Sequence, residues 1–276
     1  MNRILVRKEL ACGIFLLEIE APRIASHTKA AQFVVLRPTV HSERIPLTVV
    51  DADPDCGIIT LVVQVIGRTT EILSGLKEGD AVADLLGPLG EPTRLQRIGH
   101  VLCVGGGIGV AAILPLIRAM RSAGNEVTAL CGARSKSQMI LIEEVASAAN
   151  EVVWATDDGS FGFSGSVVRL MQDWIRSQPS RPGLVHVVGP VAMMQAAAAV
   201  TREWRVPTIA SLNPIMVDGI GMCGGCRVVV EGVTRFACVE GPEFNAHQVD
   251  FDDLARRNRA YVPQEQQAAC RLAPGP

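Results

Sequence analysis

The sequence predicts an antiparallel β-barrel domain, then an α/β domain with a parallel sheet, and finally a small cysteine-bearing segment. Three observations support this order. Short β-rich runs fill the first third of the chain, strands and helices alternate from His100 onward, and three cysteines cluster in a glycine-rich stretch after residue 207. The predicted divisions are 1–96 for the barrel, 97–207 for the α/β domain, 208–264 for the cysteine-bearing segment, and 265–276 for a flexible tail.

Length and composition limit the classes of function. The chain has 276 residues, 48% of them hydrophobic, which is enough for two buried cores. Its net charge of −2 argues against a nucleic-acid partner, and its longest uncharged run, Val101–Ile117, is too short to span a membrane. Eight cysteines without a secretion signal indicate a reducing compartment. We therefore expect a cytoplasmic protein whose clustered cysteines bind metal.

The barrel prediction rests on short runs bounded by Pro, Gly and Asp. Such runs at even spacing are typical of small antiparallel barrels. The predicted strands are Cys12–Ala21, Gln32–Arg37, Ile45–Asp51, Gly57–Ile66 and one beginning at Gly79-Asp80, with a short helix at Thr69–Leu76 before the last.

From His100 the pattern changes to buried apolar runs that alternate with helical periodicity. A βαβ series predicts a parallel sheet with helices on both faces. The predicted strands are Val101–Val104, Glu126–Cys131, Glu151–Thr156 and Leu184–Val188, and the predicted helices are Val110–Ala123, Ser137–Ala149, Ser166–Gln178 and Pro190–Glu203.

Four glycines lie between the first of these strands and its helix: Gly105, Gly106, Gly107 and Gly109. Glycine lets the backbone approach a pyrophosphate, and the helix N-terminus supplies N–H donors. An ordinary tight turn is the alternative. Arg134 and Lys136 stand where a ribose-binding carboxylate is usual, and they either meet phosphate or are solvated, so the choice between NAD and NADP stays open.

Further motifs suggest nucleotide contacts. Arg44, Pro46, Leu47 and Thr48 lie on a predicted strand edge, where an arginine and a hydroxyl suit a flavin diphosphate, although a plain edge strand would look alike. The turn-like runs Gly67-Arg68-Thr69-Thr70 and Gly87-Pro-Leu-Gly90 would supply further donors. Asp157 and Asp158 follow the third α/β strand, and they either contact the nicotinamide nucleotide or form an Asp-Gly turn.

The cysteine-bearing segment contains Asp218, Cys223, Cys226 and Cys238 in the pattern D-x4-C-x2-C-x11-C. A C-x4-C-x2-C…C pattern is the plant-type spacing of a 2Fe–2S cluster, and Asp218 stands in its first cysteine position. The site has either one oxygen ligand or no cluster. The alternatives are a structural zinc site, a disulfide and free thiols. We expect Cys270, in the tail, to be an incidental thiol.

Together these motifs, with Val188-Gly-Pro190 and Met193-Met194, resemble the ferredoxin-NADP reductase-like group of electron-transfer subunits. This group contains the electron-transfer subunit of dihydroorotate dehydrogenase B, the sulfide dehydrogenase subunit, and the alpha subunit of NADH-dependent reduced ferredoxin:NADP oxidoreductase. The resemblance runs from about residue 3 to residue 262 in family order.

The resemblance implies FAD in the barrel, NAD(H) or NADP(H) in the α/β domain, and a 2Fe–2S cluster. Arg44, Pro46, Leu47 and Thr48 would hold the flavin, and Gly67, Arg68 and Thr69 would lie near its phosphates. Residues 105–109 would face the nicotinamide nucleotide, and the three cysteines would be cluster ligands. Dihydroorotate-type subunits have four cysteines, whereas the transhydrogenase and sulfide dehydrogenase type resembles this chain in having aspartate at the position of Asp218.

The expected activity is that of an NAD(P)H-linked, flavin-dependent oxidoreductase subunit. A hydride would pass between the nicotinamide nucleotide and FAD, and single electrons would pass through the cluster to a partner subunit. The expected partner is a larger iron–sulfur flavoprotein or another oxidoreductase subunit, with ferredoxin as a further candidate. No catalytic acid or base is expected. The alternatives are the electron-transfer subunit of dihydroorotate dehydrogenase B and a zinc-stabilised nucleotide-binding module without redox activity.

Overall fold

The computed structural model describes residues 2–262 and 264. Its N-terminal part is a six-stranded antiparallel sheet in the order β1-β2-β5-β4-β3-β6, as the sequence predicts. A backbone bridge between Arg3 and Ala81 joins the two ends of this sheet and closes the barrel. The barrel strands are β1 (Ile4–Ala11), β2 (Ile14–Glu20), β3 (Phe33–Arg37), β4 (Ile45–Asp53), β5 (Ile58–Gln64) and β6 (Asp84–Leu89), with helices α1 (Pro22–Ala25) and α2 (Arg68–Ser74) between them.

Alternating side chains fill the barrel. Leu17 and Ile19 on β2 point inward with Leu61 on β5, and all three are fully buried. The β1 strand was not predicted, because the charged run Arg7-Lys8-Glu9 hides its alternation. It forms nevertheless, because it pairs with β2 over most of its length.

The α/β part is a seven-stranded sheet in the order β10-β9-β8-β7-β11-β12-β15. Its strands run parallel, except that β15 is antiparallel to β12. The strands are β7 (His100–Gly106), β8 (Glu126–Ala133), β9 (Glu151–Thr156), β10 (Phe163–Ser164), β11 (Leu184–Val188), β12 (Thr208–Ser211) and β15 (Glu243–Asn245). The helices are α3 (Gly109–Ser122), α4 (Ile142–Ala148), α5 (Val167–Ser177) and α6 (Val191–Glu203).

The strand order reverses between β7 and β11. The chain passes from β7 outward through β8 and β9, and then returns to place β11 on the other side of β7. In open α/β sheets, ligands bind in the crevice beyond the carboxyl ends of the strands at such a reversal. The glycine loop after β7 and the Val188-Gly-Pro190 turn after β11 both lie at this edge.

The C-terminal segment is not separate from the parallel sheet. The predicted boundary at residue 207 remains a prediction, but the sheet continues past it, since β12 pairs with β11 and β15 adds a further strand. Between β12 and β15 lie the cysteine-bearing loops and a hairpin of β13 (Arg227–Val230) and β14 (Val233–Phe236). Helix α7 (Phe251–Asn258) follows, with its N-terminus capped by the Asp250 carboxylate.

Two predictions from the sequence concern the C-terminal tail and membrane spans. The tail over 265–276, with Cys270, lies outside the described residues. Within the described part, no helix is long and apolar enough to cross a membrane.

Candidate functional site

The first candidate site lies on the barrel, where β4 carries Pro46, Leu47 and Thr48 just after Arg44. The three strand residues are half-buried and pair with β3, and Arg44 is exposed. One guanidinium nitrogen of Arg44 lies 3.3 Å from the Asp84 carboxylate. The same carboxylate forms an ion pair with Arg37, whose guanidinium nitrogen lies 2.6 Å away. Two arginines on one carboxylate leave a net positive charge at this edge, which suits an anionic ligand.

The predicted phosphate-binding turn begins α2. The Thr70 hydroxyl accepts hydrogen bonds from the N–H groups of Ile66 and Gly67, at 3.0 and 3.1 Å, so this turn is ordered by the chain itself. Arg68 is exposed and Thr69 is buried. Arg68 is therefore the exposed charged side chain of this turn.

The glycine loop after β7 is shaped largely by protein contacts. A Cβ atom on Gly106 would collide with the Met193 sulfur, and one on Gly109 would collide with the carbonyl oxygen of Val188. Gly105 and Gly106 are buried. Gly107 differs, because it is exposed, has φ +57° and has no neighbour in the space that a Cβ would take. Gly107 is therefore the member of this loop with open space beside its backbone.

Asp157 and Asp158 lie exposed beyond β9. The Ser160 hydroxyl and then the Ser160 N–H donate to the Asp158 carboxylate, at 2.6 and 3.0 Å, and lower its pKa. An open groove of about 550 Å³ lies here, lined by Ser135, Lys136, Ser137, Asp158 and Ser160. Sequence reasoning missed the three serines, although they follow the ends of β8 and β9.

Two of the predicted metal ligands meet in the C-terminal segment. The Sγ atoms of Cys226 and Cys238 lie 3.1 Å apart, which is too long for a disulfide bond, and both residues are buried. Burial, followed by the hydrogen bond from the Cys226 thiol, raises the pKa of Cys238 to about 12. This thiol is therefore protonated near neutral pH unless a metal ion displaces its proton.

Asp218 and Cys223 lie in the same loop. The Asp218 carboxylate accepts hydrogen bonds from the N–H groups of Ile220 and Cys223. Burial alone would raise the pKa of Asp218, but these N–H groups outweigh it and hold the pKa below its ordinary value. Cys223 is exposed, and its Sγ accepts from the Gly225 N–H at 3.4 Å. An N–H directed at sulfur is a feature of iron–sulfur loops.

The four predicted ligands do not converge on one point. Within the described residues, no three His, Cys, Asp or Glu side chains lie close enough together to hold a metal ion. The structure brings Cys226 and Cys238 together and places the other two ligands in the adjoining loop. The donor set of three sulfurs and one carboxylate fits a cluster, provided that binding draws the loop inward.

The cluster loop, which we define as residues 218–226, packs against the barrel. A Cβ on Gly219 would lie 2.6 Å from Leu89 Cδ1 on β6 and 2.8 Å from Val35 Cγ2 on β3. Val35 is the register partner of Pro46, which belongs to the candidate flavin strand. The loop that holds Asp218 therefore lies one strand away from the predicted flavin contacts.

A closed antiparallel barrel, a parallel sheet with its glycine loop at the strand-order reversal, and a cysteine loop against the barrel define a class of protein. This class is the ferredoxin reductase-like oxidoreductases that carry an iron–sulfur segment. Residues 213–250 match the family model described as the iron-sulfur cluster binding domain of dihydroorotate dehydrogenase B.

Curated relatives and a solved structure match nearly the whole chain. The electron transfer subunit homolog of dihydroorotate dehydrogenase B (NAD(+)) from Thermotoga maritima is 43% identical, over 96% of this chain and 93% of the relative. The electron transfer subunit from Desulforamulus reducens is 34% identical, over 88% and 95%. A chain of the NADH-dependent reduced ferredoxin-NADP oxidoreductase structure is 39% identical, with a TM-score of 0.93 over 99% and 98%.

The chain belongs to the family of dihydroorotate dehydrogenase B electron-transfer subunits and their homologues. The predicted family, fold class and oxidoreductase function are thereby confirmed, as are the cofactor classes: an iron–sulfur cluster, FAD and a nicotinamide nucleotide. The expectation of a partner subunit is also confirmed, because the relatives are subunits. The individual site residues, and the expected absence of a catalytic acid or base, stay predictions.

Proposed function

We propose that this subunit oxidises a nicotinamide nucleotide and delivers single electrons through a 2Fe–2S cluster to a larger iron–sulfur flavoprotein, as in a transhydrogenase or sulfide dehydrogenase complex. The observation that carries the proposal is the packing of the Asp218 loop on β3 and β6, beside strand β4, which follows Arg44. A flavin exchanges a hydride with nicotinamide and releases electrons singly, and a cluster carries single electrons.

The barrel residues bind and orient the flavin. Asp84 restrains the Arg44 guanidinium at the barrel edge, where the positive charge attracts the diphosphate. Pro46, Leu47 and Thr48 offer a rigid, half-buried strand edge for the ring system. Gly67, Arg68 and Thr69 form the ordered turn near the phosphates, and Arg68 supplies the exposed charge.

The glycine loop, residues 105–109, positions the nicotinamide nucleotide. Gly107 leaves the backbone open to a phosphate, while Gly106 and Gly109 let Met193 and the β11 turn pack closely behind it. Asp157 and Asp158 border the groove at the neighbouring strand end, where they and Lys136 can contact the nucleotide.

Asp218, Cys223, Cys226 and Cys238 are the proposed cluster ligands. The sulfurs of Cys226 and Cys238 already lie at contact distance, and iron would replace their protons. The lowered pKa of Asp218 keeps its carboxylate ionised and able to act as an oxygen ligand. Zinc could use the same donors, but the family match over residues 213–250 favours an iron–sulfur cluster.

Asp218 and the ferredoxin-NADP oxidoreductase structure favour a transhydrogenase-type partner. The second candidate function is electron transfer to a dihydroorotate-oxidising subunit, which the names of the curated relatives favour. We also propose a cytoplasmic location, since no disulfide bond joins the seven cysteines among the described residues, as expected in a reducing compartment.

Anaerobic purification followed by mixing with NADH or NADPH tests the proposal. The expected result is rapid loss of the flavin absorbance and then of the iron–sulfur absorbance, with stronger reduction by one nucleotide. A colourless protein containing zinc would overturn the redox function. Identification of the co-purifying chain separates the two candidate complexes: dihydroorotate-dependent reduction of the flavin in the complex would overturn the transhydrogenase-type partner.

A further inference from the structure

Glu243 links all three parts of the molecule. It lies on β15, five residues after Cys238, and its side chain is only 12% exposed. One carboxylate oxygen, Oε2, accepts a hydrogen bond from the Thr93 hydroxyl at 2.9 Å. The other, Oε1, lies 3.4 Å from His186 Nδ1. A buried carboxylate is costly unless it is paired, so these two contacts hold it in place.

The two partners of Glu243 belong to different units. Thr93 lies in the connection between the barrel and β7, and its N–H donates to the Ala30 carbonyl in the barrel. His186 lies on β11 of the parallel sheet and is 1% exposed. The carboxylate therefore joins the cysteine-bearing segment to the interdomain connection with one oxygen and to the nucleotide sheet with the other.

Backbone contacts support this junction. The Glu91 N–H donates to the Gly241 carbonyl at 2.6 Å, and the Leu212 N–H donates to the Pro242 carbonyl at 2.9 Å. A Cβ on Gly90 would lie 3.0 Å from both Gly241 O and Pro242 Cδ. The two residues just before Glu243 therefore contact the connection that leaves the barrel. The Glu243–Thr93 hydrogen bond fixes the register of this segment against the connection.

We propose that Glu243 is a positioning residue that sets the placement of the cluster loop relative to the flavin barrel. The Asp218 loop and β15 are the two ends of one segment, and Glu243 fastens the second end while Gly219 rests on the barrel at the first. Loss of the Glu243–Thr93 bond frees the segment to shift. Electron transfer from flavin to cluster depends on this separation, whereas hydride transfer to the flavin does not.

His186 gives the same junction a second polar contact. Its Nε2 atom is buried and has no hydrogen-bond partner within the described residues, so Nδ1 toward Glu243 is its polar contact there. Cys103, the register partner of His186 on β7, offers only a buried thiol. Replacement of the carboxylate therefore leaves His186 without a charged neighbour, a cost that the Thr93 substitution avoids.

The inference rests on the proposed electron transfer, and a stopped-flow experiment on the purified complex separates the two. Thr93→Val removes the hydroxyl donor at nearly constant volume. We expect flavin reduction by the nucleotide to stay within about twofold of wild type and cluster reduction to slow by about tenfold, since small misplacements have large kinetic effects. Thr93→Ser should restore the rate.

Amide hydrogen exchange supplies a readout independent of activity. In Thr93→Val and Glu243→Gln, the amides of residues 241–246 should exchange faster than in wild type, while those of β7 and β8 should not change. Glu240→Gln is the matched control. Among the described residues, its carboxylate accepts hydrogen bonds from Arg235 and Phe236 within its own segment, so exchange at 241–246 should match wild type.

Several outcomes would overturn the positioning role. Cluster reduction at the wild-type rate in Thr93→Val would do so, as would equal slowing of flavin and cluster reduction, or equal exchange in Glu240→Gln and Glu243→Gln. Failure of the proposed function looks different, because wild-type protein would then show no cluster reduction by either nucleotide. If the variants exchange faster at 241–246 but wild-type protein shows no cluster reduction, Glu243 makes a structural contact only. That result would overturn its role in electron transfer.

Discussion

The glycine loop over residues 105–109 and the cluster loop differ in the contacts that hold them. In the loop after β7, Gly106 and Gly109 are required by close contacts with Met193 and Val188, and only Gly107 has a positive φ. In the cluster loop, Gly219, Gly221 and Gly224 all have positive φ. The first loop is fixed by protein packing before any ligand arrives. The second has glycine where the backbone must turn, and its predicted ligands do not lie close together.

The two loops also differ in solvent exposure. Gly105 and Gly106 are buried beneath helices, whereas the cluster loop carries Ile220 and Met222 exposed to solvent, the latter at 83%. A loop that leaves large apolar side chains in solvent, and whose predicted ligands lie apart, gains order from what it binds. We therefore expect the nucleotide loop to be insensitive to loss of its ligand and the cluster loop to depend on metal.

The largest expected effect comes from Cys226→Ser. This change breaks the buried thiol pair and replaces a soft thiolate ligand with a hydroxyl, so the cluster should be lost. Iron and sulfide analysis should fall close to background, and the amides of residues 218–226 should exchange faster while those of 105–109 do not.

Cys12→Ser is the control, because that thiol lies exposed in the β1–β2 turn and should leave the iron content unchanged. Full iron and sulfide content in Cys226→Ser would remove this residue from the ligand set.

A change of intermediate size is expected in the nucleotide loop. Gly109→Ala places a Cβ against the Val188 carbonyl oxygen, which is backbone and cannot turn aside. It should lower the free energy of unfolding by about 3 kcal/mol, the upper end for overpacking. Gly107→Ala has open space and pays only for its φ of +57°, about 1 kcal/mol.

Urea unfolding of the two variants measures this difference. Equal destabilisation by Gly107→Ala and Gly109→Ala would show that the close contact with Val188 does not decide the glycine at position 109.

The smallest expected effect is a shift in potential. Asp218→Cys supplies the missing thiolate, and the cluster should remain, with a midpoint potential lower by on the order of 100 mV because thiolate donates more charge. A redox titration followed by visible absorbance measures it. Asp218→Asn separates the roles of the carboxylate, since an amide oxygen can still accept from Ile220 and Cys223.

An unchanged midpoint in Asp218→Cys would show that Asp218 orders the loop without binding iron. Loss of the cluster in Asp218→Asn, with retention in Asp218→Cys, would instead support a ligand role.

Local patterns predicted much of the fold. The strand Leu184–Val188 has the predicted bounds because Gly183 and Gly189 flank a β-branched and aliphatic run that only His186 interrupts. Strand β1 was missed because Arg7 and Lys8 occupy partly or fully exposed positions on it, where the barrel tolerates their charges. Strand β15 has three residues, and its partner β12 lies more than thirty positions away in sequence, so no local signal marks it.

Part of the candidate site could likewise be predicted from the sequence, and part could not. Spacing alone predicts Cys223 and Cys226 as ligands, because a cluster imposes a short, fixed separation on its ligands. The junction of Thr93, His186 and Glu243 could not be predicted from local sequence. Thr93 and Glu243 lie 150 positions apart in the chain, and only folding brings them together. The sequence also gives no sign that Cys226 and Cys238 meet while the other two ligands stand apart.

The pairing of β15 with β12 has a consequence for modular engineering of this chain. A strand at the rim of a sheet exposes unpaired N–H and C=O groups that invite pairing with another chain. Here β15 covers that rim, and the same segment carries the cysteines. A version cut after residue 207 would lose β12 as well and expose β11, so the segment cannot be exchanged between proteins without also protecting the nucleotide sheet from aggregation.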